Sequence, residues 1–418
     1  MILVPPALRR VYEAYPAGFW VLWFGTILNR VGEFVVPLLG FYLVAERGLP
    51  ALQVSVILAM LGAGRFVAEG FSGQLSDRRG PAFAMTLALS GGAVMLLALS
   101  AASTFPLLML GVLGFSLFSA MYKPASSAAV ADLTRGPQRA RAYNLLYWAI
   151  NVGASVAPVL GGWLAGLSYK LLFYLDAASM AVYALLIHLL FPRRPRPAAQ
   201  TVKPRLLPRD RLLGLFCVAT LLYSLTYQSY KLLALVFAQE GYTPVQYGQL
   251  LAVNGVLVIL LGLPVGGLIS RHNHPRWQAA GAALLGLGFL GHAFADALWQ
   301  HLLAVAVWSV GEIVAYSIGK TIVSELGRPE QRGTYIGLVG SMSGLAALLA
   351  PLLGGVLLSQ SGARSMWLVV AGLAFAGTLL YLWLEGDVER RRAETAALEA
   401  AGEYLERRPS AATTPSSD

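Results

Sequence analysis

Twelve apolar runs, each long enough to cross about 30 Å of hydrocarbon at 1.5 Å per helical residue, decide what this chain can fold into. They cover residues 17–44, 51–76, 82–103, 105–131, 139–166 and 169–191, then 210–239, 244–270, 276–297, 299–325, 332–360 and 364–384. The basic residues sort between the links. One alternate set holds Arg9, Arg10, Arg78, Arg79, Arg135, Arg139, Arg141, the cluster from Arg193 to Arg211, Arg271, Arg276, Arg328, Arg332 and Arg390 to Arg392. The opposite set holds little beyond Arg47, Lys170 and Arg364. Positive charge stays on the cytoplasmic side, so both termini are expected there, which requires an even number of spans.

Composition agrees with an all-α, multi-pass integral membrane protein. Of 418 residues, 57% are hydrophobic and 12% charged, against about 25% charged in a soluble domain. The net charge of +10 lies in short links between apolar runs, so it reads as topology rather than a nucleic-acid partner. Cys217 is the only cysteine, which excludes an internal disulfide and a metal site built on cysteine pairs. The first twenty residues lack a short apolar core with a small-residue cleavage site, and no cleaved signal peptide is expected. No G-x-x-x-x-G-K-[ST] loop, nucleophile elbow or His/Glu metal spacing occurs, so neither an enzyme, a cofactor nor a metal is expected.

The chain divides into residues 1–192, a Pro- and Arg-rich linker at 193–209, a second half at 210–385 and a polar tail at 386–418. The tail reads as a short cytoplasmic surface helix with a disordered end. The halves repeat. Asp132-Leu133 with TRGPQRARAY matches Glu325-Leu326 with GRPEQRGTY, and ASVAPVLGG at 154–162 matches ALLAPLLGG at 347–355. Pro351 minus Pro158 is 193 and Gly267 minus Gly73 is 194.

GQLSDRRG, Gly73 to Gly80, follows the second run and has the shape G-x-L-[AS]-D-R-x-G. It resembles the loop signature between helices 2 and 3 of the major facilitator superfamily. GASVAPVLGG, with Gly153, Pro158, Gly161 and Gly162, resembles the helix 5 motif of that superfamily's drug:proton antiporter branch, although Ala157 replaces its second glycine. Small residues at this spacing equally serve close helix packing. The resemblance implies two six-helix bundles with a site at their interface near the midplane. It also implies a latch: Asp77 at the N-terminus of span 11, with Arg78 pairing Asp132. The plainer alternative is a solvated turn with topogenic arginines. The second copy, GLISRHN, has Arg271 where the first has Asp77.

Ionisable residues inside the spans are the candidates for chemistry, since each costs about 2.5–3.5 kcal/mol at mid-bilayer unless it faces water or a partner. Glu33 lies mid-way along span 1 with Arg30 one turn before it. Arg65 and Glu69 are four apart on span 2, about 18 and 12 Å deeper than Asp77. Lys123 is on span 4, Lys231 on span 7, Glu312 on span 10 and Lys320 two turns beyond it. Glu312, in GEIVAYSIGKTIVSEL, stands where the resemblance places the acid of multidrug members, and is the first choice for a proton or cationic-substrate site; Glu33 is second. Arg30, Arg65, Glu69, Lys123 and Lys231 suit buried ion pairs as well as substrate contact. The arginine many members carry on helix 4 is absent, which leaves Arg30, Arg65 or Lys123 to take its place. Tyr122, Tyr147, Trp148, Tyr223, Tyr227, Tyr230 and Tyr316 offer rings for an amphipathic cation, or simply for packing. His188, His292 and His301 fall near span ends and read as interfacial.

The expectation is a monomeric transporter of the cytoplasmic (inner) membrane. It would be an efflux antiporter of amphipathic or cationic small molecules, driven by protons through alternating access. The alternatives are an importer or exporter of one specific metabolite, such as a sugar, amino acid, peptide or lipid, and a transporter-like sensor that binds without turnover.

Overall fold

The computed structural model describes residues 12–135, 137–192, 210–272, 274–327 and 332–407. The 193–209 linker lies outside the described residues, as do the side chains of Glu69, Arg271 and Lys320 and the surroundings of Gly73. Among the described residues every element is a helix, as a hydrocarbon solvent requires of backbone that must satisfy its own polar groups. The first half contains α1 (Ala17–Val31), α2 (Val35–Phe41), a π-turn at Tyr42–Glu46, α3 (Ala51–Arg79), α4 (Pro81–Ala101), α5 (Phe105–Leu133), α6 (Pro137–Leu167) and α7 (Tyr169–Leu190). The second contains α8 (Arg211–Gln228), α9 (Lys231–Gln239), α10 (Pro244–His272), α11 (Arg276–His292), α12 (Leu298–Leu326) and α13 (Arg332–Arg407).

Ten helical stretches among the described residues are long and apolar enough to cross a membrane. Two features separate that number from the twelve runs in the sequence. Helix α11 has 17 residues, short of the roughly 20 a perpendicular span needs. Helix α13 runs through both of the last two runs and turns at Gly362, whose φ of +78° only glycine adopts without strain. Gly80, at φ +86°, makes the corresponding reversal between α3 and α4, a structural reason for the last glycine of GQLSDRRG.

Spans 1 and 7 are broken in mid-course. The first divides between Val31 and Val35, so Glu33 sits at a helix break rather than mid-helix; the second divides at Ser229–Tyr230, directly before Lys231. At the first break the Asp176 carboxylate on α7, 1% exposed, accepts from the Val35 N–H at 3.2 Å, supplying a partner that the interrupted helix cannot.

The two halves meet along three pairs related by the repeat: α6 with α10, α3 with α13, and α2 with α9. Glycines set these approaches. A Cβ on Gly62 would stand 2.4 Å from the Ala347 backbone, and one on Gly255 would stand 2.2 Å from Ser155 Oγ; 255 minus 62 is again 193. The helix 5 motif is packed the same way. A Cβ on Gly153 would meet Arg30 Cβ at 2.3 Å, one on Gly161 would meet Leu38, one on Gly162 would meet the Pro244 carbonyl at 2.6 Å, and one on Gly248 would meet the Pro158 carbonyl at 2.6 Å. Toward the end that carries Arg78, Arg135, Arg276 and Arg391, Gly262, Gly337 and Gly340 face open space. The halves therefore touch at midplane and at the opposite end, and part at the basic end.

The tail departs from expectation. Residues 386–407 form no separate surface helix; they prolong α13 past the bundle, where charged side chains strap it down. Asp210 caps α8 by accepting from the Leu212 and Leu213 N–H groups at 3.0 and 3.3 Å, and its other oxygen accepts from Tyr335 Oη at 2.7 Å and Arg391 Nη1 at 2.9 Å. Arg392 binds Glu325 at the end of α12 at 2.5 Å, and Arg276 Nε reaches Glu385 at 2.7 Å. His274 Nδ1 accepts from the Arg276 N–H at 3.2 Å, which leaves its proton on Nε2, 2.8 Å from Glu389. His292 and His301 fall near span ends, on either side of the α11–α12 turn. Both are buried, and their Nδ1 atoms share a hydrogen bond of 2.9 Å that closes the α11–α12 turn.

Two predictions follow from this packing. Gly62→Ala and Gly255→Ala should lower the melting temperature of the purified protein, by overpacking worth about 1–3 kcal/mol each, while Gly262→Ala and Gly340→Ala leave it unchanged or slightly higher. Burial would raise the Asp210 pKa, but the bonds from Tyr335, Leu213 and Arg391 outweigh it and hold the carboxyl below its ordinary value. Its stabilisation is therefore present above the ordinary carboxylate range and is lost as the pH falls through the lowered value. Asp210→Asn should melt below the wild type at pH 7, and the difference should close as the pH falls below the ordinary carboxylate range and through the lowered value.

Candidate functional site

Between the two halves lies a cavity of about 1380 Å³, lined from both bundles. Its floor includes Leu61, Tyr247 and Trp308 near the midplane, and its walls run toward the basic end past Asn144, Arg141, Gly262 and Gly266. Four of the ionisable candidates line it: Arg30, Glu33, Lys231 and Glu312.

Glu312 is the best-supported of these. Tyr227 Oη on α8 donates to its Oε1 at 2.7 Å, and Asn254 Nδ2 on α10 donates to its Oε2 at 2.9 Å. The same amide donates to Ser309 Oγ at 2.9 Å, one turn below the acid on α12. Two helices thus fix a carboxylate carried on a third through neutral donors, one to each oxygen, and lone pairs on both remain for a further ligand. Among the described residues no cation stands within ion-pair distance of Glu312. Glu33 differs: Arg30 Nη1 meets its Oε2 at 2.5 Å, so its charge is already matched.

Lys231 starts the second half of the broken span 7 and lines the cavity with no carboxylate within ion-pair distance among the described residues. Arg65, exposed on α3 and not a lining residue, is close enough for its field to act on Lys231 and Tyr230. Tyr230 also lies within electrostatic reach of Glu312 and Glu33.

Aromatic placement splits. Tyr147, Trp148, Tyr227, Tyr230 and Tyr316 line the cavity. Tyr147 on α6 and Tyr316 on α12 stack across the two halves, 6.3 Å between centroids and 6° from parallel. Trp148 stacks on Trp23 at 6.0 Å, and Tyr223 lies parallel to Tyr227 at 6.4 Å. Tyr122 is not a lining residue. It turns into the first bundle, where its hydroxyl meets Thr26 at 3.0 Å and Tyr183 at 2.8 Å. A buried phenol takes the nearest polar partner, and those partners lie on α1 and α7.

The gate residues stand apart from the cavity. Asp77 and Arg78 are exposed at the basic end of α3 and Asp132 is half-buried at the end of α5; Lys123 is exposed on α5 and is no lining residue. Sequence reasoning missed Asn254, Ser309 and Asp176, as well as Asn151, another residue of the cavity lining. The rule that selects Glu33 and Glu312 applies equally to Asp176, an acid inside an apolar run, and a lone amide in LLAVNGVLV signals Asn254 by the same cost.

Comparison with known proteins bears on what such a cavity is for. The profile of the Major Facilitator Superfamily matches residues 22–229 and again 215–414. The uncharacterised MFS-type transporter YqjV of Bacillus subtilis (strain 168) is 24% identical over 386 residues, covering 88% of this chain and 94% of its own. The multidrug resistance protein MdtH of Enterobacter sp. (strain 638) is 26% identical over 407 residues, covering 92% and 98%. Among solved structures, a mutant of the nucleoside transporter NupG superposes with a TM-score of 0.76 at 16% identity, over 88% of this chain and 99% of its own. A POT family transporter complexed with a thioalcohol-conjugated peptide gives 0.76 at 13%, over 89% and 97%. At such identities the likeness is one of fold.

Proposed function

Because the chain belongs to the major facilitator superfamily and is a membrane transporter rather than an enzyme, we propose that it exports amphipathic small molecules in exchange for protons. The observation that carries this reading is Glu312: a carboxylate between the two halves, held by Tyr227 and Asn254 and matched by no cation among the described residues. One such acid can hold a proton or a cationic group but not both, and this exclusion is the physical content of antiport. A proton arriving displaces the substrate, and a substrate arriving displaces the proton. The multidrug resistance relatives favour export over import.

The cycle follows from the packing. With the basic end cytoplasmic, the cavity mouth faces the cell interior, and the glycine contacts of α3 with α13 and α6 with α10 seal the outer half. Rocking residues 1–192 against 210–385 in a twelve-span, cytoplasmic-membrane protein would exchange that seal for one at the basic end. There Asp77 would dock on the start of the eleventh span, with Arg78 and Asp132 completing the latch.

In proteoliposomes under an imposed pH gradient, Glu312→Gln should lower substrate accumulation at least about ten-fold, and Glu33→Gln should do so to a smaller degree. Gradient-driven transport unchanged in both variants would remove the coupling assignment, and uphill movement in the import direction would replace the export reading. Asp77→Asn should raise labelling of cysteines introduced along the cytoplasmic mouth. Labelling equal to that of the parent protein would leave Asp77 as a solvated turn.

A further inference from the structure

The cavity has two electrical poles, and the export reading uses only one. On α12 stands Glu312, with lone pairs to spare and no cation within ion-pair distance among the described residues. At the start of α9 stands Lys231, whose ammonium lines the same space without a carboxylate partner among the described residues. Glu33, the other acid lining the cavity, is engaged by Arg30. Tyr230 lines the same cavity, within electrostatic reach of Glu312 and Glu33.

From this arrangement we infer that the preferred substrates are amphipathic zwitterions, with a cationic group for Glu312, an anionic group for Lys231 and an aromatic body between them. The inference rests on the export reading and narrows its substrate class. A lipophilic monocation would satisfy Glu312 while leaving the Lys231 ammonium without water and without a partner, a penalty that a carboxylate on the substrate removes. The cavity, at about 1380 Å³, exceeds the usual range of roughly 300–1,000 Å³ for small-molecule sites, so a drug-sized molecule with separated charges has room. Tyr147 and Tyr316, stacked from opposite halves, give its rings a surface on each bundle.

Rhodamine B and its ethyl ester test this directly, since they share one aromatic cation and differ in whether the benzoate is free. Fluorescence anisotropy titrations of the purified full chain in nanodiscs would give the ratio of ester to acid dissociation constants. That ratio should be at least about ten-fold larger in the wild type than in Lys231→Gln or Lys231→Met, and Lys231→Arg should preserve it. Taking the ratio between proteins cancels the ester's greater partition into lipid. Equal ratios, with both dyes bound, would overturn the anionic contact and leave the export reading intact. Loss of both dyes to the same degree in the Lys231 variants would also overturn it, as a general effect on the cavity. Failure of the wild type to bind either dye would overturn both this inference and the export of amphipathic compounds.

Discussion

Charge is expensive in hydrocarbon, and the structure is arranged around the few places where that expense is met. Each ionisable side chain inside a span needs water, a counter-ion or a hydrogen-bond donor, and the space between the bundles is a large volume that can supply water. Arg30, Glu33, Lys231 and Glu312 all turn to that space, while Asp176 is covered and receives a backbone N–H instead. The two helix breaks, at residues 32–34 and 229–230, lie next to Glu33 and Lys231. Irregular backbone at membrane depth survives where it borders a cavity or finds a side-chain partner, and these breaks do so.

The same constraint explains the glycines. In lipid no hydrophobic force draws one helix to another, so two bundles associate through close backbone approach. Gly62 on Ala347 and Gly255 on Ser155 provide that approach at equivalent points of the repeat, and Gly162 on Pro244 extends it toward the end away from the arginines. Where the glycines face open space, at Gly262, Gly337 and Gly340, the interface ends and the cavity opens.

Helix positions, the internal repeat and the presence of Glu312 beside the cavity were legible in the residues, because each leaves a one-dimensional trace: an apolar run, a fixed offset, an acid where acids are costly. Direction around a helix axis leaves no such trace when both faces are apolar. Tyr122 and Tyr147 look alike in sequence, yet one points into its own bundle toward Thr26 and Tyr183 and the other into the cavity. The break beside Glu33 was hidden for a related reason, since its cap comes from Asp176, 141 positions away. The anchoring of the tail was hidden too, because helix 386–407 has no apolar period of its own; its bonds reach Asp210, Glu325 and His274, scattered over the second half.

That strap makes the two bundles mechanically unequal. A helix running unbroken from Gly362 to Arg407 ties the start of α8, the turn before α11, the end of α12 and, through Asp210, Tyr335 at the start of α13. Relative sliding among those ends would break several charge-assisted bonds together. The second half is thus stiffened like a truss across its basic end, and the first half, above all the jointed α1 and α2, is left the more pliable of the two.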